Sequence, residues 1–108
     1  MNEQKIVNLL SMAQRAGKVA SGDFAVQKAV QGNKAKLILV AADAAVETQK
    51  KYQHLASEAK IDLYYLLDRE ALGHCIGKEY RAVAAVLDAG FANAMTKLCQ
   101  VDKDSGVN

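Results

Sequence analysis

The side chains best suited to binding chemistry lie close together in a short segment, residues 77–81. Lys78 and Arg81 place a cation on either side of the Tyr80 ring. Cations bind phosphates and an exposed aromatic face stacks on an unpaired base, so this combination favours contact with RNA whose bases are splayed out. The competing interpretation is structural, with Tyr80 at the rim of the core and Arg81 paired with Glu79 or Asp88. The segment alone leaves both interpretations open.

A second candidate segment opens a predicted helix at Ser21, Gly22 and Asp23. The first N–H groups of a helix form a partly positive site that attracts a phosphate or a base edge. Lys18 precedes this entrance, and Lys28 follows it by about a turn and a half. Asp23 can neutralise the helix end by itself, so from these residues alone helix capping, with Ser21 as the cap, is the favoured interpretation.

Catalytic patterns are absent from the sequence. The two histidines, His54 and His74, have no metal-ligand spacing around them. His74 and Cys75 are neighbours on a predicted helix, so their side chains diverge by about 100° instead of meeting. Cys75 and Cys99 are therefore expected to be small buried apolar residues. We expect no enzyme activity, no metal site and no cofactor.

Asp43 follows a continuous apolar run at residues 37–41, the position of a phosphoacceptor aspartate in a receiver-like α/β domain. Such a site needs further acidic residues to hold Mg²⁺, and no acidic pair follows the first apolar segment. Capping of the next helix explains Asp43 without further assumptions. No glycine-rich phosphate-binding motif occurs.

The net charge of +2 conceals an uneven distribution. Residues 1–60 carry nine Lys or Arg against five acidic residues, whereas residues 61–108 carry five against seven. Lys18, Lys28, Lys34 and Lys36 could therefore form a basic patch, the alternative being scattered solvated lysines. The chain has no apolar run of membrane-spanning length, no signal-peptide core and no disulfide framework, so we expect a cytoplasmic protein without membrane contact.

Helices and strands alternate along the 108 residues. Helical apolar spacing predicts five helices, capped where sequence allows by Ser21, Asp43 and Asp68 and stopped by Gly17 and Gly32-Asn33. Their predicted inner faces are Ile6, Leu9, Leu10, Ala13 and Ala16; Val26, Ala29 and Val30; Tyr52, Leu55, Ala56 and Ala59; Leu72, Cys75 and Ile76; and Phe91, Ala94, Met95 and Leu98. Strands are predicted at residues 19–20, 37–41, 61–67 and 82–87. This order predicts an α/β protein, a three-layer α/β/α sandwich in one domain, residues 1–100, followed by a frayed polar tail, residues 101–108.

Three segments in order, residues 17–22 with Lys28, residues 32–43 and residues 72–88, resemble the kink-turn-binding ribosomal protein family. That family includes archaeal large-subunit protein 7Ae and eukaryotic large-subunit protein 30e, and the third segment is most similar to the 30e type. The resemblance covers about residues 5–95, and the small size is similar to that of bacterial members. It implies a four-stranded mixed sheet and binding to sharply bent RNA.

The resemblance also implies which residues face RNA, with Tyr80 against an exposed base. The complete set of expected contacts is Lys18, Gly22, Asp23, Lys28, Asp43, Gly77, Lys78, Glu79, Tyr80, Arg81 and Ala82. Many members carry a polar pair two and three residues after the glycine that reads sheared G·A pairs. Here those positions are Phe24 and Ala25, so we expect charge and stacking to carry more of the binding.

The sequence therefore predicts a monomeric, non-catalytic protein that binds kinked structured RNA as a ribosomal or ribosome-associated protein. Two alternatives remain open at this point. One is a protein-interaction module that kept the fold and lost kink-turn specificity, as Phe24 and Ala25 suggest. The other is the receiver-like phosphoacceptor at Asp43.

Overall fold

In the computed structural model of the chain, residues 3–107 are described, and side chains are described for residues 3–100. Five helices and four strands alternate along the chain. They are α1 Glu3–Arg15, β1 Val19–Ser21, α2 Asp23–Gln31, β2 Leu37–Val40, α3 Val46–Ala59, β3 Asp62–Tyr65, α4 Arg69–Cys75, β4 Val83–Val86 and α5 Ala89–Val107. Among the described helices, none is both long and apolar enough to cross a bilayer.

The four strands form one mixed sheet in the order β1-β4-β2-β3. Strand β4 runs antiparallel to both neighbours, and β2 runs parallel to β3. Every residue of the two central strands, β2 and β4, is buried, as expected for continuous apolar runs covered on both faces. Helix α1 packs on α4 and α5, while α2 packs on β1 and β4 and α3 on β2 and β3. The predicted three-layer α/β/α sandwich is confirmed.

The strand directions place different loops at the two ends of the strands, and each of these ends is called an edge below. Because β1, β2 and β3 run together against β4, their ends meet the start of β4, where Ser21 pairs with Ala84 and Val40 with Val83. We call this the Gly22 edge, formed by residues 21–24, 41–48, 67–70 and 77–83. The opposite Lys36 edge is formed by residues 15–19, 32–37, 58–62 and 86–88.

Two predicted helix caps are wrong. Ser21 is the last residue of β1, and α2 begins after Gly22 without a side-chain cap. Asp43 does not cap α3, whose N-cap is Ala45; its Oδ1 instead accepts the Arg69 N–H at the start of α4, at 2.8 Å. Both errors have one cause. The backbone turns between each of these residues and the helix that follows it, so another residue, Gly22 or Ala45, takes the N-cap position.

The predicted cap at Asp68 is confirmed, because its Oδ1 accepts the Ala71 N–H at 2.7 Å. Most predicted inner faces are also buried or half-buried, but Ala16 and Ala59 are exposed. Cys99 is buried and Cys75 only half-buried. Burial raises the pKa of the Cys75 thiol, which therefore stays protonated and a poor nucleophile at neutral pH. The frayed tail stays a prediction, since side chains 101–108 lie outside the described part of the chain.

Candidate nucleic-acid interface

Gly22 sets the direction in which the chain enters α2. Its backbone has φ 87° and ψ 161°, a combination open essentially to glycine alone. Its N–H donates to the Val83 carbonyl at 3.0 Å, which ties the turn to the start of β4. Because no side chain caps α2, the first N–H groups of that helix are presented at the Gly22 edge, where they attract acceptor atoms.

Asp23 joins the start of α2 to α3. Lys51 Nζ lies 2.9 Å from both of its carboxylate oxygens, and the Tyr52 hydroxyl donates to Oδ1 and to the Asp23 carbonyl. The hydrogen bond from Tyr52, followed by the one from Lys51, lowers the pKa of Asp23. Burial and the neighbouring carboxylate raise the pKa of Tyr52. Asp23 is therefore an anion with partners inside the protein.

The segment that carries Tyr80 rests on α4. Lys78 N–H donates to the Gly73 carbonyl at 2.8 Å, and Gly77 takes φ 75° in the turn. A Cβ at Gly73 would lie only 2.8 Å from the Glu79 carbonyl oxygen and 2.9 Å from Tyr80 Cα. Residue 73 must therefore lack a side chain for this loop to pack against the helix.

Arg81 makes three contacts with other residues of the protein. Its N–H donates to the Arg69 carbonyl at 3.0 Å, one guanidinium nitrogen donates to the Tyr80 carbonyl at 2.8 Å, and Nε lies 3.4 Å from Ser21 Oγ. Of the described side chains, neither Glu79 nor Asp88 forms an ion pair with it. The guanidinium thus lies beside the entrance to α2, adjoining Gly22.

Asp43 and Arg69 complete this network. Asp43 accepts the Arg69 N–H and its Oδ2 lies 3.5 Å from Arg69 Nε. Through the Arg69 carbonyl the connection continues to Arg81, so the loop after β2, the start of α4 and the loop before β4 hold one another in place. Within the described residues there is no cluster of three His, Cys, Asp or Glu that could hold a metal ion.

Three large apolar side chains project from this edge into solvent. Phe24 is 80% exposed, Val46 63% and Tyr80 61%. In sequence, each is one or two positions from a residue that lines a cleft of about 340 Å³. The cleft is lined by Gly22, Asp23, Glu47, Thr48, Lys51, Ala82 and Val83. Exposed apolar side chains from three segments near one cleft make this edge a candidate binding surface, and the exposed Tyr80 ring is not part of the core.

The structure gathers most of the expected contact residues, but not all. Gly22, Asp23, Asp43 and residues 77–82 share the Gly22 edge. Lys28 lies on the exposed flank of α2, one turn beyond Phe24. Lys18 lies at the Lys36 edge, since its carbonyl accepts the Leu87 N–H at 2.8 Å at the far end of β1.

Sequence reasoning missed Val46, Lys51 and Arg69, and it treated Phe24 only as a lost polar position. Phe24 could have been found, because it falls outside the apolar stripe of α2 and must therefore point away from the core. Lys51 and Arg69 had no local signal, since their partners Asp23 and Asp43 lie 28 and 26 residues away.

Comparison with known proteins decides the family. Residues 4–96 match the model of the ribosomal protein L7Ae/L30e/S12e/Gadd45 family. The chain belongs to this family. It is 42% identical over 90 residues to the RNA-binding protein YlxQ of Bacillus subtilis (strain 168), covering 83% of this chain and 90% of that one. It is 32% identical to the large ribosomal subunit protein eL30 of Eremothecium gossypii, with 90% and 94% covered.

Solved structures agree with this membership. A protein of unknown function from Bacillus halodurans C superposes with a TM-score of 0.84 at 35% identity, covering 87% of this chain and 95% of that one. The 15.5kD RNA binding protein of Giardia lamblia gives 0.75 at 20% identity, with 87% and 81% covered. At that identity the second likeness concerns the fold alone.

Proposed function

We propose that this family member is a non-catalytic, cytoplasmic protein that binds kinked, structured RNA through its Gly22 edge as a ribosomal or ribosome-associated protein. The observation that carries the proposal is the exposure of Phe24, Val46 and Tyr80 at the edge that also holds a cleft and the uncapped start of α2. Family membership and the names of the relatives, an RNA-binding protein and a ribosomal protein, support it.

The recognition is of shape more than of sequence. Tyr80 stacks on a base that the bend has exposed. The first N–H groups of α2 and the Arg81 guanidinium meet acceptor atoms of the RNA next to Gly22. The carboxylates of Asp23 and Asp43 face cations of the protein, which limits their repulsion of phosphates.

Phe24 changes the way this chain reads the bend. A phenyl ring cannot hydrogen-bond base edges, so the first turn of α2 offers an apolar contact together with its backbone N–H groups. We therefore expect the protein to tolerate changes in the base pairs beside the kink and to depend on the bend itself.

A gel-shift titration with three RNAs of equal length tests the proposal: a kink-turn, the same RNA with base changes that prevent bending, and a plain duplex. The expected order of affinity is kink-turn first, by about tenfold or more, which corresponds to about 1.4 kcal/mol. Equal affinity for the kink-turn and the duplex contradicts the proposal.

A second candidate function is favoured by one observation, the apolar character of the same three exposed side chains. In a protein-interaction module they would form the centre of a protein interface. This alternative predicts no preference among the three RNAs, so the same titration separates the two functions.

A further inference from the structure

The two edges of the sheet differ in charge. At the Gly22 edge acidic side chains outnumber basic ones. The acidic side chains there are Asp23, Asp43, Glu47, Asp68, Glu70 and Glu79, and the basic ones are Arg69, Lys78 and Arg81, to which Lys51 of α3 adds a fourth cation through its contact with Asp23. At the Lys36 edge the balance is reversed. The basic side chains there are Arg15, Lys18, Lys34, Lys36 and Lys60, and the acidic ones are Glu58, Asp62 and Asp88.

The three acidic groups of the Lys36 edge are fewer than its five basic ones, and two of the three already have other hydrogen-bonding partners. Glu58 pairs with His54, and Asp88 accepts the Phe91 N–H at the start of α5 at 2.9 Å. Asp62 lines the same pocket as Lys36 and Lys60. Among the described residues, Lys18, Lys34 and Lys36 are all exposed and form no ion pair. Positive charge is thus concentrated away from the edge where the family resemblance places RNA.

Backbone pairing fixes two of these lysines close together. Lys36 N–H donates to the Val86 carbonyl at 2.8 Å, and the Lys18 carbonyl accepts the Leu87 N–H at 2.8 Å. The two residues therefore lie on opposite sides of the end of β4, about 10 Å apart at two strand spacings. Cations at this separation can contact neighbouring phosphates of one strand.

A groove of about 500 Å³ runs along the flank of α2 to the Lys36 edge. It begins near Ala20 and Ala25, which adjoin the Gly22 edge, and its lining includes Lys28, Lys34 and Leu87. The described residues that line it include no acidic side chain. A strand that leaves the start of α2 thus has a path without carboxylates to the Lys36 edge.

We propose that the Lys36 edge is a second RNA contact, at which Lys34, Lys18 and Lys36 bind the phosphate backbone of a strand that continues along the α2 groove from the Gly22 edge. This inference rests on the proposed function for the RNA that is held at the Gly22 edge. The second contact is electrostatic and independent of sequence. One edge then recognises the bend, and the other adds affinity to RNA long enough to reach it.

The experiment compares two triple variants by fluorescence anisotropy over a series of salt concentrations. One carries Lys18→Ala, Lys34→Ala and Lys36→Ala. The matched control carries Lys5→Ala, Lys50→Ala and Lys97→Ala, which removes the same charge from exposed positions on α1, α3 and α5. Both are tested on a kink-turn with short arms and on one with a helical arm of about one turn beyond the bend, and circular dichroism checks that both fold.

On the long-armed RNA, we expect the Lys18, Lys34 and Lys36 variant to bind about 10- to 100-fold more weakly near 0.1 M salt, with the slope of log K against log salt reduced by about two. On the short-armed RNA it should match the control. An equal slope for both variants on the long-armed RNA overturns the inference. So does a loss of the same size on both RNAs, since the lysines would then act at the bend.

Failure of the proposed function would look different. In that case the unmodified protein shows no preference for the kink-turn over a plain duplex of the same length. The slopes of the two triple variants on that duplex still test the Lys36 edge. A slope reduced only for the Lys18, Lys34 and Lys36 variant supports the second contact, and equal slopes contradict it.

Discussion

The two edges of the sheet use their charged groups in opposite ways. At the Gly22 edge Asp23 and Asp43 are bound to Lys51 and Arg69, and Arg81 holds the backbone of its own loop. These charged groups hold the segments of the Gly22 edge in place, and apolar side chains are exposed on the same segments. At the Lys36 edge the lysines have few partners and only a strand end to support them. Excess positive charge therefore lies at the Lys36 edge, whereas the segments held by charged contacts lie at the Gly22 edge.

The strongest way to break the Gly22 edge is to separate its loop from α4. Gly73→Ala places a methyl group 2.8 Å from the Glu79 carbonyl oxygen, so the free energy of unfolding should fall by about 1–3 kcal/mol. Because Tyr80 shifts with the loop, affinity for a kink-turn should fall as well. Urea denaturation and anisotropy measure the two effects.

The matched control is Gly32→Ala at the other end of the molecule. There the new Cβ meets the Lys28 carbonyl oxygen at 3.4 Å and Lys34 Cγ at 3.9 Å, and φ is −88°, so stability should change little. If the two alanine variants are equally stable, α4 does not hold the loop.

Tyr80→Ala tests whether recognition at the Gly22 edge depends on the exposed ring. Loss of one stacked base should weaken binding to a kink-turn by about 1–3 kcal/mol. The thermal midpoint should stay almost unchanged, since the ring is outside the core. Tyr65→Ala, which removes a 38% exposed ring on β3, outside the residues that form the Gly22 edge, is the control. Unchanged affinity together with a large loss of stability would make Tyr80 a structural residue.

The smallest expected effect concerns the charge pairing of Asp23 and depends on pH. Its pKa in the folded protein lies below the ordinary value of 3.8 because Tyr52 and Lys51 stabilise the carboxylate. The carboxylate therefore stabilises the fold fully above about pH 4, and this contribution is lost as the pH falls through the lower folded value. Thermal midpoints of the unmodified protein and Asp23→Asn should differ at pH 7, and the difference should shrink as the pH is lowered below 3.8. A difference that is constant over this range excludes the carboxylate as its cause.

Local patterns predicted most of the fold for clear physical reasons. The buried stripe of Val26, Ala29 and Val30 and the Asp68 cap depend on neighbours within one helical turn. The interior strands can be predicted from the sequence because a strand covered on both faces is apolar throughout. Asp43 was assigned to the wrong helix because its true partner, Arg69, is distant along the chain. Lys18 was grouped with Gly22 because only three residues lie between them in sequence, yet those three form strand β1, which carries them to opposite edges.

By itself, the sequence determined the family, the succession of helices and strands, and the presence of a cationic and aromatic loop, because each depends on residue types over short spans. It also determined that the first 60 residues are basic. Only the tertiary structure decided where that charge lies, which carboxylates have partners, and which apolar side chains face solvent. These features follow from the strand order β1-β4-β2-β3. The order of the strands brings residues that are far apart in sequence together at one edge, and a short strand separates sequence neighbours to opposite edges.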